Sequence, residues 1–204
     1  AEAYDGWVSR DLIGFYERYV RVLFDRYGHR VRYWLTFNEI NSVLHEPFLS
    51  GGINTPKDQL SPSDLYQAAH HELVASALAT KIAHETMPQA KVGCMLLSMP
   101  TYPLTPDPAD VVAVMDTDHL NMMFGDVHTR GQSPGYGRRY FAERGIDLEI
   151  TDADRELLAN TVDFVSFSYY MSICETADPA RKVAGEGNIL GGVPNPTLAA
   201  SDWG

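Results

Sequence analysis

This sequence has little with which to build a disulfide scaffold or a metal site. It has only two cysteines, Cys94 and Cys174, each in or beside an apolar segment of strand length. Two buried thiols in a reducing compartment is the expected account, because free cysteine is among the residue types most often buried. His70, His71, Glu72 and His84 sit in AHHELVASALATKIAHE without the HExxH order that arranges two imidazoles and a carboxylate for zinc. They are expected to be ordinary helix residues. No run approaches the ~20 consecutive apolar residues of a membrane span, and no basic-then-apolar leader opens the chain. The expectation is therefore no membrane partner and a cytoplasmic location. No repeat of fixed period is present. Positive charge is scarce: 16 Lys and Arg stand against 27 Asp and Glu, a net charge of −11. That balance argues against nucleic acid as a partner, since phosphate recognition needs a Lys/Arg stripe.

What is present is a normal globular composition. Apolar residues make up 45% and charged residues 21% of 204, enough to bury a core as one domain or as part of a larger one. The chain opens AEAYDGW without an initiator Met and closes ASDWG without a helix stop. Both ends are expected to be cut from something longer.

Apolar spacing predicts a helix over 9–27, with Ser9 as N-cap and Gly28 as stop. A β-branched and aromatic run, VRYWLTF at 31–37, predicts a strand, and the Gly- and Pro-bearing stretch after it a loop. Ser61-Pro62-Ser63-Asp64 reads as N-cap, Pro at N1 and acidic N3 of a helix to about Glu85. AKVGCMLL at 90–97 predicts a second strand, and Asp107 to Asp110 starts a helix to about Val127. Further helices are expected over 134–144, stopped by Gly145, and after the cap at Thr151–Asp154. VDFVSFSYY at 162–170 is a third strand, and the tail from 175 a long loop. Alternating helices and near-continuous apolar strands indicate α/β architecture with a parallel sheet. Three widely spaced strands fit either a small open domain or a piece of a barrel, where chemistry sits at the C-terminal strand ends.

That rule directs attention to YWLTFNEINSV at 33–43, where Asn38 and Glu39 follow the first strand. By period-2 alternation Trp34, Thr36 and Asn38 share one face. Position alone leaves two readings of Glu39, a solvated turn residue or a catalytic carboxylate. Ser166, Ser168 and Tyr170 likewise alternate on one face of the third strand, either bonded to a neighbouring strand or facing a ligand.

YWLTFNE resembles the W-x-T-x-N-E motif of glycoside hydrolase family 1, the β-glucosidase-like retaining hydrolases. GWVSRDLIGFYERYVRVLFDRYGHRVRYWLTFNE looks like that family's third helix and fourth strand, QAAHHELVASALATKIAHE like its fourth helix, and VDFVSFSYY like its sixth strand. The resemblance covers essentially the whole chain. It implies one central fragment, 1–204, of a (β/α)8 TIM barrel, roughly strands four to six, incomplete at both ends. Ile40 and Ser168 stand where many plain β-glucosidases have Pro and Asn, which shifts weight to the 6-phospho-β-glucosidases.

Carried over residue by residue, the resemblance implies Glu39 as general acid/base, Asn38 as ligand of the sugar 2-hydroxyl and Tyr170 as the group that orients the nucleophilic carboxylate. His70, His71 and Trp34 match family-like positions but are read as packing residues. The implied substrate is a small phosphorylated β-glucoside such as cellobiose 6-phosphate. No cofactor or metal is implied, nor any oligomeric state. A plain β-glucosidase, a 6-phospho-β-galactosidase and a non-catalytic sugar-binding protein of the same fold remain alternatives. The family's nucleophile lies in an E-N-G stretch absent here; GEGN at 185–188 has the wrong order. This polypeptide alone is therefore expected to be inactive, and its open strand edges to promote association.

Overall fold

The computed structural model describes residues 2–182 and 193–199; the GEGN stretch lies outside them. The elements are helix α1 (Asp11–Tyr27), strand β1 (Tyr33–Asn38), short helix α2 (Pro47–Gly51), α3 (Pro62–Thr86), β2 (Lys91–Ser98), β3 (Thr101–Pro103), α4 (Pro108–Arg130), α5 (Gly135–Arg144), α6 (Asp152–Leu158), β4 (Phe164–Tyr169), β5 (Ile173–Glu175) and β6 (Val193–Pro194). Chain contacts divide them into two units, 1–96 with 123–167 and 97–122 with 168–204.

Capping chemistry set most helix starts as expected. Ser61 and Thr151 each accept a hydrogen bond from the backbone N–H three residues on, and Asp64 and Asp154 return it to the cap residue's own N–H. Gly145 ends α5 with φ 62°, a left-handed conformation that glycine adopts without cost. Ser9 is a correction. Arg10 occupies the N-cap of α1, and Ser9 sits one residue earlier, its hydroxyl still accepting from the Asp11 N–H at 3.3 Å. The loop after β1 also holds more structure than expected, a 3-10 turn at Ile40–Leu44 and α2.

In the first unit β1 and β2 run parallel, and β4 lies on the other side of β2. Helices α1 and α3 cover one face of β1. Trp34 meets Phe24 edge-on at 5.0 Å among Val20, Ala79, Ile82 and Ala83, and the Thr36 hydroxyl lies 2.7 Å from that of Ser76. The opposite face is bare at β1, where Tyr33 is 63% and Leu35 44% exposed. Gly93 on β2 lets Phe164 lie flat against that face: a Cβ at 93 would fall 2.3 Å from the Phe164 ring.

Asp154 ties α6 to two other helices. It is fully buried, accepts from both Arg10 guanidinium nitrogens and from the Thr151 N–H at 2.9 Å, and lies 3.3 Å from His70 Nε2. Burial opposes its charge, but the hydrogen bonds win and hold the carboxyl well below the usual carboxylate range. His71 bonds the Trp7 carbonyl at 2.9 Å through Nδ1 and Gln67 through Nε2. Both histidines thus serve the fold. Cys94 and Cys174 are free and buried, and burial pushes the Cys94 thiol up to about 11.

The second unit holds the start of α4, as the cap at Asp107 to Asp110 led one to expect, and a small sheet that was not expected. β3 pairs parallel with β5, and β5 antiparallel with β6. Asp110 anchors it, accepting from the Thr105 and Thr176 hydroxyls at 2.7 and 2.8 Å and from the Thr105 and Ala177 N–H groups. Those bonds hold its carboxyl at about 2. Among the described residues no helix is long and apolar enough to cross a membrane.

Glu72 on α3 is 1% exposed, and neither carboxyl oxygen has a hydrogen-bond partner among the described residues. Burial raises its pKa well above the ordinary 4.5, so the folded chain keeps it protonated. The unfolded chain ionises it above that pH, so folding loses stability as pH rises from there, by up to about 1.4 kcal/mol per unit. Glu72→Gln should melt with the unchanged protein at pH 4 and progressively higher than it as the pH rises above 4.5. A pH-independent difference in thermal melts would contradict the buried neutral acid.

Candidate active site

The C-terminal end of β1 carries the candidate residues, and a bulge there decides where they point. Leu35 pairs with Gly93, but the next matched pair is Asn38 with Met95. Three steps along β1 thus answer two along β2, so Thr36 and Phe37 together oppose Cys94. Up to Thr36 the alternation is regular, Trp34 and Thr36 facing the helices. Phe37 then turns to the helices as well, stacking on Tyr16 at 4.6 Å and meeting Trp7 edge-on at 5.3 Å. The Tyr16 hydroxyl donates to the Thr36 carbonyl within the bulge. Burial keeps that phenol well above its ordinary pKa, so it remains a donor.

The consequence is a correction for Asn38. Regular pleating would put it beside Trp34 and Thr36 against the helices. The extra residue moves it to the face of Tyr33 and Leu35, where it is exposed. A purely alternating strand would have buried this amide. Two aromatics three residues apart, Trp34 and Phe37, beside an aromatic-rich helix were the available signal, since both cannot face one side of a regular strand.

Glu39 is the residue after the strand and is 8% exposed. Its backbone is pinned on both sides. The N–H donates to the Met95 carbonyl at 3.0 Å, continuing the link to β2, while its carbonyl accepts from the Ser42 N–H at 2.8 Å and the Ser42 hydroxyl at 2.7 Å. The Ser42 hydroxyl in turn lies 2.5 Å from that of Ser50 on α2. This arrangement holds Glu39 at φ 53°, ψ 55°, a left-handed conformation uncommon outside glycine. A carboxylate kept there at a strand end, against about 1–3 kcal/mol of local strain, is an arrangement that clusters at functional sites.

On β4, Phe164, Ser166 and Ser168 are half-buried while Val165, Phe167 and Tyr169 are exposed. The Ser166 hydroxyl donates to the Cys94 carbonyl of the adjacent strand at 3.0 Å, so strand-to-strand bonding accounts for it. Tyr170 follows the last residue of β4 and is half-buried. It belongs to the second unit, Asn38 and Glu39 to the first.

The glycosyl hydrolase family 1 model matches residues 1–204. The chain is 58% identical over its full length to a 6-phospho-beta-glucosidase of Clostridium longisporum, of which it covers 43%. It is 49% identical over 202 residues to the aryl-phospho-beta-D-glucosidase BglH of Bacillus subtilis, covering 98% of this chain and 43% of that protein. A solved family 1 β-glucosidase from Thermotoga maritima superposes with a TM-score of 0.69 at 26% identity, covering 85% of this chain and 39% of that one. The chain thus spans less than half the length of the relatives it matches. The fold class expected from sequence, α/β and part of a (β/α)8 barrel, stands.

The strain at Glu39 has a measurable signature. Glycine relieves a left-handed residue, less its own entropy in the unfolded chain. Glu39→Gly should therefore be about 0.5–1 kcal/mol more stable than Glu39→Ala in denaturant unfolding. Equal stability of the two variants, or a more stable alanine, would show that residue 39 is not held left-handed.

Proposed function

The chain belongs to glycosyl hydrolase family 1, and from that premise we propose that it is the central segment, roughly strands four to six, of a retaining 6-phospho-β-glucosidase. Its substrates would be 6-phospho-β-D-glucosides such as cellobiose 6-phosphate, cleaved in the cytoplasm to glucose 6-phosphate and an aglycone. The observation that carries this reading is the end of β1. There a bulge turns Asn38 onto the strand's open face, and Glu39 follows it with its backbone pinned from both sides. The names of the relatives supply the substrate class.

Retaining cleavage uses two carboxyl groups ~5–5.5 Å apart, one protonated and one ionised. Glu39 takes the first role. It donates its proton to the glycosidic oxygen as the anomeric carbon–oxygen bond breaks, then removes a proton from the water that attacks the glycosyl-enzyme intermediate. Asn38 hydrogen-bonds the sugar 2-hydroxyl, a contact that strengthens as the ring becomes oxocarbenium-like. Tyr170 donates to the nucleophilic carboxylate and fixes its orientation. That carboxylate lies outside residues 1–204, so the chain alone does not complete the reaction.

In the full-length polypeptide, Glu39→Gln should slow hydrolysis of substrates with poor leaving groups at least 100-fold more than that of activated aryl glycosides, since only the former need the acid. Azide should restore turnover of an activated substrate by Glu39→Ala. Equal losses on both substrate types without rescue would remove Glu39 from the role. Purified 1–204 should release no product from a chromogenic 6-phospho-β-glucoside, and a rate near that of the full-length polypeptide would overturn the two-segment reading.

A further inference from the structure

A cleft of about 780 Å3 opens among α3, the last turns of α4, α5 and α6, wholly within the first unit. That volume suits a small organic molecule. None of its lining residues comes from β1, the turn after it or β4, so it is separate from the candidate active site. Leu73, Phe124, Phe141 and Leu158 form an apolar wall, and Arg130, Arg138 and Arg155 stand at the rim against a single carboxylate, Asp147. Each guanidinium has five donors and uses only part of them elsewhere: Arg130 on Asp126, Arg138 on the Ser133 carbonyl and Arg155 on Asp152. Neither Asp126 nor Asp152 lines the cleft. The rim is therefore locally cationic on a chain whose net charge is −11.

His70 also lines the cleft, with a side chain only 6% exposed. Its Nε2 faces the Asp154 carboxylate at 3.3 Å. Asp154 is held ionised by Arg10 and Thr151, and an ionised carboxylate only accepts. The proton must therefore sit on Nε2. Burial keeps the ring neutral by lowering its pKa, which leaves Nδ1 as a lone-pair acceptor. Among the described residues Nδ1 has no hydrogen-bond partner. It is not sealed off within the protein, so a ligand that covers it must donate to it or leave it stranded at a cost.

We propose that this cleft binds a small hydroxyaromatic carboxylate, its hydroxyl donating to His70 Nδ1, its ring against Leu73, Phe124 and Phe141, and its carboxylate on the Arg138 and Arg155 guanidinium groups. Both ends are needed. An apolar wall alone accepts any hydrophobe, whereas the His70 acceptor selects a donor and the rim selects an anion. The site does not depend on the glycosidase reading, because binding is measured without turnover.

Isothermal titration of the full-length polypeptide with 4-hydroxycinnamate should give a Kd of about 0.1–1 mM, as a ligand of this size allows. Cinnamate, which lacks the hydroxyl, and methyl 4-hydroxycinnamate, which lacks the charge, should each bind at least about tenfold more weakly. The exposed pair Arg138→Ala with Arg155→Ala should cost a similar factor, and Ala142→Trp, which fills the cleft from α5, should abolish binding. Equal affinity for the three compounds would reduce the cleft to a nonspecific apolar trap and overturn the proposal. So would an absence of binding to the unchanged protein at 10 mM, or binding that survives Ala142→Trp.

Discussion

The single extra residue in β1 is the constraint on which the candidate site depends. Without it, Asn38 would lie beneath the helices with Trp34 and Thr36. With it, Phe37 takes the place against Tyr16 and Trp7 that alternation would deny, and Asn38 turns to the open face. The driving force is ordinary: an aromatic ring gains more by stacking under α1 than by standing on a bare sheet face. The candidate amide is thus aimed by the burial of its apolar neighbour. Glu39 follows at once, its N–H given to β2 and its carbonyl to Ser42, so the strand ends in a fixed rather than a fraying residue.

The surrounding helices keep that strand in place by two kinds of packing. Under Trp34 the contact is apolar, with Phe24, Ile82 and Ala83. Between the helix ends it is polar, with Asp154 joining α6 to Arg10 at the start of α1 and to His70 on α3. Removing one partner from such a buried set generally costs more than the bond itself is worth, because the remaining charge is stranded. The same Asp154 sets the protonation of His70 and so decides what that ring offers to the neighbouring cleft. One buried carboxylate serves both the fold and the chemistry of a second surface.

Much of this was legible in the sequence wherever a local signal carries its own physics. Ser61 with Asp64 and Thr151 with Asp154 specify helix starts by hydrogen bonds within four residues, and Gly145 specifies a stop by its backbone freedom. The strands around Leu35, Cys94 and Ser166 followed from apolar runs of the right length, and the position of Glu39 at a strand end from the first of them. Features that depend on distant partners were not legible. The bulge arises from the meeting of Phe37 with Tyr16, some twenty residues away in sequence. The short sheet of β3, β5 and β6 is held by Asp110, expected only as part of a helix start, reaching Thr176 and Ala177 in the tail that read as loop. Ser9 lost the N-cap to Arg10 by a single residue, within the usual scatter of helix boundaries.

The central claim is that Glu39 is the acid/base of a retaining mechanism, and the stereochemistry of the first product tests it most directly. Proton NMR during hydrolysis of a 6-phospho-β-glucoside by the full-length polypeptide should show β-glucose 6-phosphate appearing first and mutarotating later to the α form, as a covalent glycosyl-enzyme intermediate requires. Initial release of the α anomer would mean direct displacement by water, and would contradict the two-step role assigned to Glu39.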